Sequence, residues 1–207
     1  DRELERLFCN VKPIHDDDLP PLDRSDKRDS NSKNAPTYDA RGLLYQWLGV
    51  DLVGIHGLNE STVQTIISEI GTDLSAFPTV KHFCSWLGLA PHNDVSGGKT
   101  LKSKTLKTQN RAGQAFRMAA QSASLSHTSA YGAYCRRMAA RVGKAQAIVA
   151  TAHKIARAFY HMLKHRVPFQ AVTAEEYDRH VRQRQLRSLR KQARHHGFQL
   201  VPIPVPA

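Results

Sequence analysis

The chain has 207 residues, with 30 Lys and Arg against 18 Asp and Glu, a formal net charge of +12 and 41% hydrophobic residues. That length fits one domain with appendages or two small ones, the apolar share suffices for a core, and the basic excess points to a polyanion, nucleic acid first, with a ribosomal-type or membrane-surface role as the other classes. No run approaches a membrane span, no secretory leader is visible, and the scattered Cys9, Cys84 and Cys135 make no disulfide framework, so a reducing cytoplasm is expected.

The chain opens on Asp1 without an initiator Met, and Leu4, Leu7 and Phe8 among charges read as the end of an amphipathic helix begun upstream. The sequence therefore reads as the C-terminal piece of something longer. From Lys12 to Pro36 prolines punctuate a run of Asp, Ser, Asn and Lys, which is the composition of a mobile linker. Residues 1–36 are assigned to this helix end and linker. Asp16, Asp17 and Asp18 read as solvated charge rather than a metal site, because no apolar periodicity fixes their geometry.

Thr37 is expected to cap a helix through about Leu48, with Leu43, Leu44 and Trp47 on one face and Gly49 as its stop. Val63, Ile66, Ile67 and Ile70 recur at helical spacing, with Asn59 or Ser61 as the cap and Gly71 as the stop. Between these helices lies Gly54-Ile55-His56-Gly57. Such a turn suits a helix-hairpin-helix motif, whose backbone N–H groups meet a DNA phosphate without reading sequence; an ordinary tight helix–helix turn fits equally well.

Pro78 and Thr79 start a helix that turns Phe83, Trp86 and Leu87 inward. It breaks at Gly88 and Pro91 into a loop. A further helix is expected over about Gln109–Leu125, with Ala115, Phe116, Ala119 and Ala120 at a close helix contact. Ser129 caps another, carrying Tyr131, Tyr134 and Met138 beside Arg136, Arg137 and Arg141. Gly143 separates it from a long helix, Lys144–His165, with a core stripe of Ile148, Ala152, Ile155, Phe159 and Met162. Thr173 and Glu176 form a capping box for a last helix to about His195. Its cations, Arg179, Arg182, Arg184, Arg187, Arg190, Lys191 and Arg194, lack balancing acids after Asp178, so it reads as a solvated face or an arm that clamps nucleic acid. No strand pattern emerges. The expected fold is all-α: a compact helical domain over 37–168 and a basic helix with a loose Pro-rich tail over 169–207.

The loop after Pro91 holds the candidate chemistry. Ser96 stands beside Gly97 and Gly98, which let a nucleic-acid backbone approach their amides. Lys99, Lys102, Lys104, Lys107 and Arg111 follow as phosphate-holding cations, so the loop suits attack on a phosphodiester, or is a solvated basic turn. His92 and Asp94 precede Ser96 closely, yet side chains two apart in extended backbone point the same way without converging. His161 and His165 stand four apart on a helix, without the further ligands that zinc would need. The folded region lacks a spaced set of acids for a metal-bound nucleophile.

Gly54-Ile55-His56-Gly57-Leu58, Ile67-Ser68-Glu69-Ile70-Gly71, Phe77-Pro78-Thr79, Phe83 with Trp86-Leu87-Gly88-Leu89-Ala90-Pro91, Ser96-Gly97-Gly98, Asn110-Arg111, Ala119-Ala120-Gln121-Ser122 and Thr151-Ala152 with Lys154-Ile155-Ala156-Arg157 occur in order. Together, from about Tyr38 to Lys164, this set resembles the C-terminal transposase domain of the insertion sequence 110 family. The resemblance implies a site-specific DNA recombinase guided by a structured RNA and working as a homo-oligomer. It implies that an N-terminal domain, absent from this sequence, binds magnesium through carboxylates, and that this piece holds no metal and is inactive alone. It implies that the C-terminal serine, Ser96 by position and Ser103 as the fallback, joins covalently to a DNA phosphate. On this reading the DNA-contacting set is Gly54, His56, Gly57, Gly97, Gly98, the four loop lysines, Arg111, Arg136, Arg137, Arg182 and Arg187, in a bacterial or archaeal cytoplasm; a non-catalytic DNA- or RNA-binding helical module is the alternative.

Overall fold

Helices form wherever the apolar period and a capping side chain agree. The computed structural model describes residues 2, 3, 6, 19–22, 24, 36–106, 110–201 and 203, without the side chains of Lys102 and Ser103. Leu4, Leu7, Phe8, the Asp16–Asp18 run and Lys107 lie outside the described residues. The helices of the body are α1 Ala40–Leu48, α2 Glu60–Ile70, α3 Val80–Trp86, α4 Arg111–Leu125, α5 Ala130–Val142, α6 Lys144–His165 and α7 Ala174–His195, with a short 3-10 turn at Leu52–Gly54.

The caps follow the sequence with one exception. Asn59 Oδ1 accepts from the Thr62 amide at 2.8 Å. Ser129 accepts from the Tyr131 amide at 3.2 Å. The Thr173 hydroxyl accepts from the Glu176 amide at 3.2 Å, and the Glu176 carboxylate accepts from the Thr173 amide at 3.1 Å. The exception is α1, which is capped by Asp39 rather than Thr37: Asp39 Oδ1 accepts from the Gly42 amide at 3.1 Å. A Cβ on residue 42 would stand 2.4 Å from the Asp39 carboxylate, so the glycine leaves room for this cap.

The core is built on α6, which packs against α3, α4 and α5. Its stripe Ile148, Ala152, Ile155, Phe159 and Met162 is buried as expected. Phe83 of α3, Phe116 of α4 and Phe159 of α6 are fully buried and meet edge to face, at 6.2 Å and 5.3 Å between successive ring centroids. This is the favoured geometry for aromatic quadrupoles. Trp86 corrects an expectation, being 41% exposed. On so short a helix Phe83 and Leu87, one turn apart, take the inward face. Trp86 falls on its flank, against the Phe77 ring at 5.2 Å.

The last helix is laid along α5. Only Val181 of α7 is buried. The starts of the two helices are joined by an antiparallel bridge between Ser129 and Thr173. In it the Ala130 amide donates to Val172 O and the Ala174 amide to Thr128 O. The short described stretch Leu19–Leu22 lies over α1, where the Tyr45 hydroxyl donates to Pro20 O at 2.8 Å.

An all-α fold is not what forms. The segment after Pro91, expected as a loop, is a two-stranded antiparallel hairpin, β1 Pro91–Ser96 and β2 Lys99–Thr105. Neither strand alternates apolar with polar residues, and β1 is exposed along its whole length. The usual strand signal, one apolar face, is therefore missing. The two-residue turn supplies the missing instruction. Gly97 and Gly98 have φ of 56° and 75°, the pair of left-handed residues that a tight hairpin turn needs. The fold is thus mostly helical with a small sheet.

Candidate active site

Register fixes what the hairpin displays. Ser96 pairs with Lys99, Asp94 with Lys102, Asn93 with Ser103 and His92 with Lys104, with an irregularity between Asp94 and Val95. Residues that alternate along a strand share a face with their cross-strand partners. Ser96, His92, Asp94, Lys99 and Lys104 therefore share one face. Ser103 occupies the alternate set of register positions from Ser96. The strands pack on each other and on no helix to a comparable extent. The hairpin is an arm projecting from the helical body between α3 and α4.

Ser96 ends β1 and is exposed, and its hydroxyl makes no hydrogen bond to another described residue. It therefore carries no packing duty. Nothing lies within 4 Å of where a Cβ would stand on residue 97 or 98, so the turn leaves open space for an approaching backbone. At the base of the hairpin Asn110 Oδ1 accepts from the Gly113 amide at 3.1 Å and starts α4. Arg111 follows, exposed, 3.7 Å from Glu69. An exposed pair at that separation is worth little, so a phosphate could displace Glu69.

The other sequence-assigned residues stand on separate elements. Gly57 has φ of 95°, and a Cβ there would lie 2.3 Å from the carbonyl oxygen of Ala119. A Cβ on Gly54 would lie 2.9 Å from Asp51 Oδ2. Asp51 in turn accepts from Arg41 Nε at 3.1 Å, in a pair that is mostly buried. His56 is half-buried, edge to face with Phe169 at 6.0 Å. Packing accounts for both glycines of this turn. Arg136 is exposed and donates to Ser126 O at 2.9 Å, while Arg182 and Arg187 are exposed on α7.

Arg137 belongs to a grouping that sequence inspection missed. It lines a cleft between α5 and α7 with Arg141, Tyr177 and Arg184. The signal was present as Tyr177, Val181 and Ser188 recurring at helical spacing among the arginines.

Among the described residues no three His, Cys, Asp or Glu side chains come together to hold a metal ion. The described residues therefore offer magnesium no ligand set. No described helix is long and apolar enough to cross a membrane.

No curated protein matches the chain. Residues 49–136 match the model of the transposase IS116/IS110/IS902 family, a span that includes α2, α3, the whole hairpin, α4 and the first half of α5. This matched segment, with Ser96 inside it, is similar to the transposase domain of that family.

Proposed function

We propose that this chain is the nucleophile-bearing C-terminal part of a DNA transposase, and that Ser96 Oγ attacks a DNA phosphodiester. One observation carries the proposal: an exposed serine, its hydroxyl without a hydrogen bond to another described residue, stands across a two-glycine turn from Lys99 on a projecting hairpin. The family of residues 49–136 supplies the reaction class. The Oγ–phosphorus bond forms as the bond from phosphorus to the leaving DNA oxygen breaks, and the serine proton passes to solvent or a neighbouring base. A DNA hydroxyl later attacks the phosphoserine ester and releases Ser96. One phosphoester replaces another at each step, so no external energy source is needed.

Lys99, Lys104 and Arg111 balance the charge that develops on the phosphoryl oxygens. Gly97 and Gly98 leave room for the DNA backbone, and the exposed Arg182 and Arg187 of α7 hold flanking phosphates. A serine hydroxyl is a weak nucleophile at neutral pH; the resemblance implies that magnesium held by carboxylates of a further domain would supply the Lewis acidity that activates it. A structured guide RNA and further copies of the chain complete the assembly in the cytoplasm.

The test uses the enzyme with its carboxylate domain and a target DNA. A covalent protein–DNA adduct should form, disappear in Ser96→Ala and persist in Ser103→Ala. An undiminished adduct in Ser96→Ala would overturn the assignment. Salt-sensitive DNA binding with no adduct in any variant would leave a non-catalytic module.

A further inference from the structure

We propose that the cleft between α5 and α7 is a binding site for single-stranded nucleic acid, in which Arg137, Arg141 and Arg184 hold backbone phosphates and Tyr177 takes a base. The cleft has a volume of about 350 Å³, and Met138 and Val181 give it an apolar floor. Gln185 and Ser188 stand at its lining as uncharged hydrogen-bonding groups.

Cations are gathered here against their mutual repulsion. Lys154 Nζ sits 4.5 Å from the centre of the Tyr134 ring. Its pKa is held below the usual lysine value, first by burial and then by the nearby Arg157 and Arg184. Arg141 Nη2 is turned to the Met138 sulfur at 3.7 Å. Among the described residues none of Arg137, Arg141, Lys154, Arg157 and Arg184 forms an ion pair. The charge of Asp178 is felt at Tyr177, where Arg137 and Arg184 oppose it. Arg137, Arg141, Lys154 and Arg184, four cations with no ion-paired acid among the described residues, stand around two tyrosines and make a site short of its anion.

The aromatic part selects the kind of anion. Tyr134 and Tyr177 meet edge to face at 6.3 Å, so Tyr177 is braced from behind while it lines the cleft. A duplex keeps its bases stacked inside a convex cylinder and would bring only phosphates. A single strand offers both phosphates and unstacked bases, which lie on aromatic rings without sequence preference. An acidic peptide would satisfy the arginines but leave the tyrosine and its apolar surround unused. No hairpin residue takes part, so the proposal stands apart from the role of Ser96.

The test measures binding of labelled oligo-dT and oligo-U strands to the 207-residue chain by fluorescence anisotropy. At least one strand should bind, and a preference between them identifies DNA or RNA as the source. Arg141→Gln with Arg184→Gln should weaken binding about tenfold or more and shallow the salt dependence. Lys81→Gln with Lys144→Gln, an equal loss of charge at exposed sites elsewhere, should change it less than about twofold. Tyr177→Ala should weaken binding roughly fivefold or more, and Tyr177→Phe, which keeps the ring, should not. Circular dichroism identifies any variant that fails to fold, and the Tyr177→Phe and Arg184→Lys chains then decide. Equal binding by the parent and a folded Arg141→Gln, Arg184→Gln chain overturns the proposal. So does equal dependence on these arginines for a duplex of the same length, or displacement of the strand by a poly-glutamate peptide at lower concentration.

Discussion

The carbonyl oxygen of Ala119 occupies the place where a side chain on Gly57 would begin, 2.3 Å from the ideal Cβ position. The helix α4 and the turn between α1 and α2 are thus in backbone contact. Gly57 also has φ of 95°, where an L side chain is strained. Gly57→Ala is expected to cost at least ~2 kcal/mol, read by urea unfolding. Gly97→Ala meets no neighbour at φ of 56° and should cost the body less than ~1 kcal/mol, because its strain is confined to the hairpin.

Ser96→Ala should leave stability within ~0.5 kcal/mol of the parent, because an exposed hydroxyl with no described partner is removed. A thermal melt checks this, and a large loss would show the serine to be structural.

Tyr160 joins α6 to the approach of α3. Its hydroxyl donates to Phe77 O at 2.7 Å and accepts from Lys164 Nζ at 2.8 Å, while Lys164 also donates to Pro78 O at 2.9 Å. Tyr160→Phe leaves the buried end of this chain unpaired, with an expected cost of about 1–3 kcal/mol in denaturant unfolding. Lys164→Met should cost less, since its amine is on the exposed side.

His153 is held below its usual pKa of 6.5, first by burial and then by the positive charges of Arg157 and Lys154. Below pH 6.5 the unfolded chain therefore takes up a proton that the folded chain resists. From this group, stability is greatest above pH 6.5 and falls with pH until the folded pKa is passed. His153→Gln should flatten the decline in Tm between about pH 7 and pH 5. An unchanged slope would show that His153 protonates freely in the folded state.

The helical part of this fold was legible because two signals coincide at most helix ends. Gly143 and the 3.6-residue stripe from Ile148 to Met162 bound α6 at Lys144 and His165. Asn59, Thr79, Ser129 and Thr173 each present an oxygen to an otherwise unpaired amide. Thr37 was displaced as the first cap because Asp39 lies two residues nearer the helix, with a glycine spaced to receive it. The hairpin was opaque because its strands bury nothing. Only Gly97-Gly98 announced it, and two adjacent glycines also suit an open loop. The serine and its lysines were legible as a list of residues, but not as one face, because register is a property of the turn. The cleft between α5 and α7 was hidden for a related reason: its parts lie about forty residues apart and meet only through tertiary contact.

The bridge from Ser129 to Thr173 gives α5 and α7 a common origin. Ala130 at the head of α5 depends on Val172 for an acceptor, and Phe169 lies stacked on Tyr131. The arginine-rich helix is therefore no detachable tag, although its sequence looks like one. Trimming the polypeptide after residue 168 would fray the beginning of an interior neighbour and bare an aromatic face. Deletion mapping across this junction would confuse loss of a cationic arm with loss of its scaffold, so charge-neutralising substitutions are the instrument for separating the two.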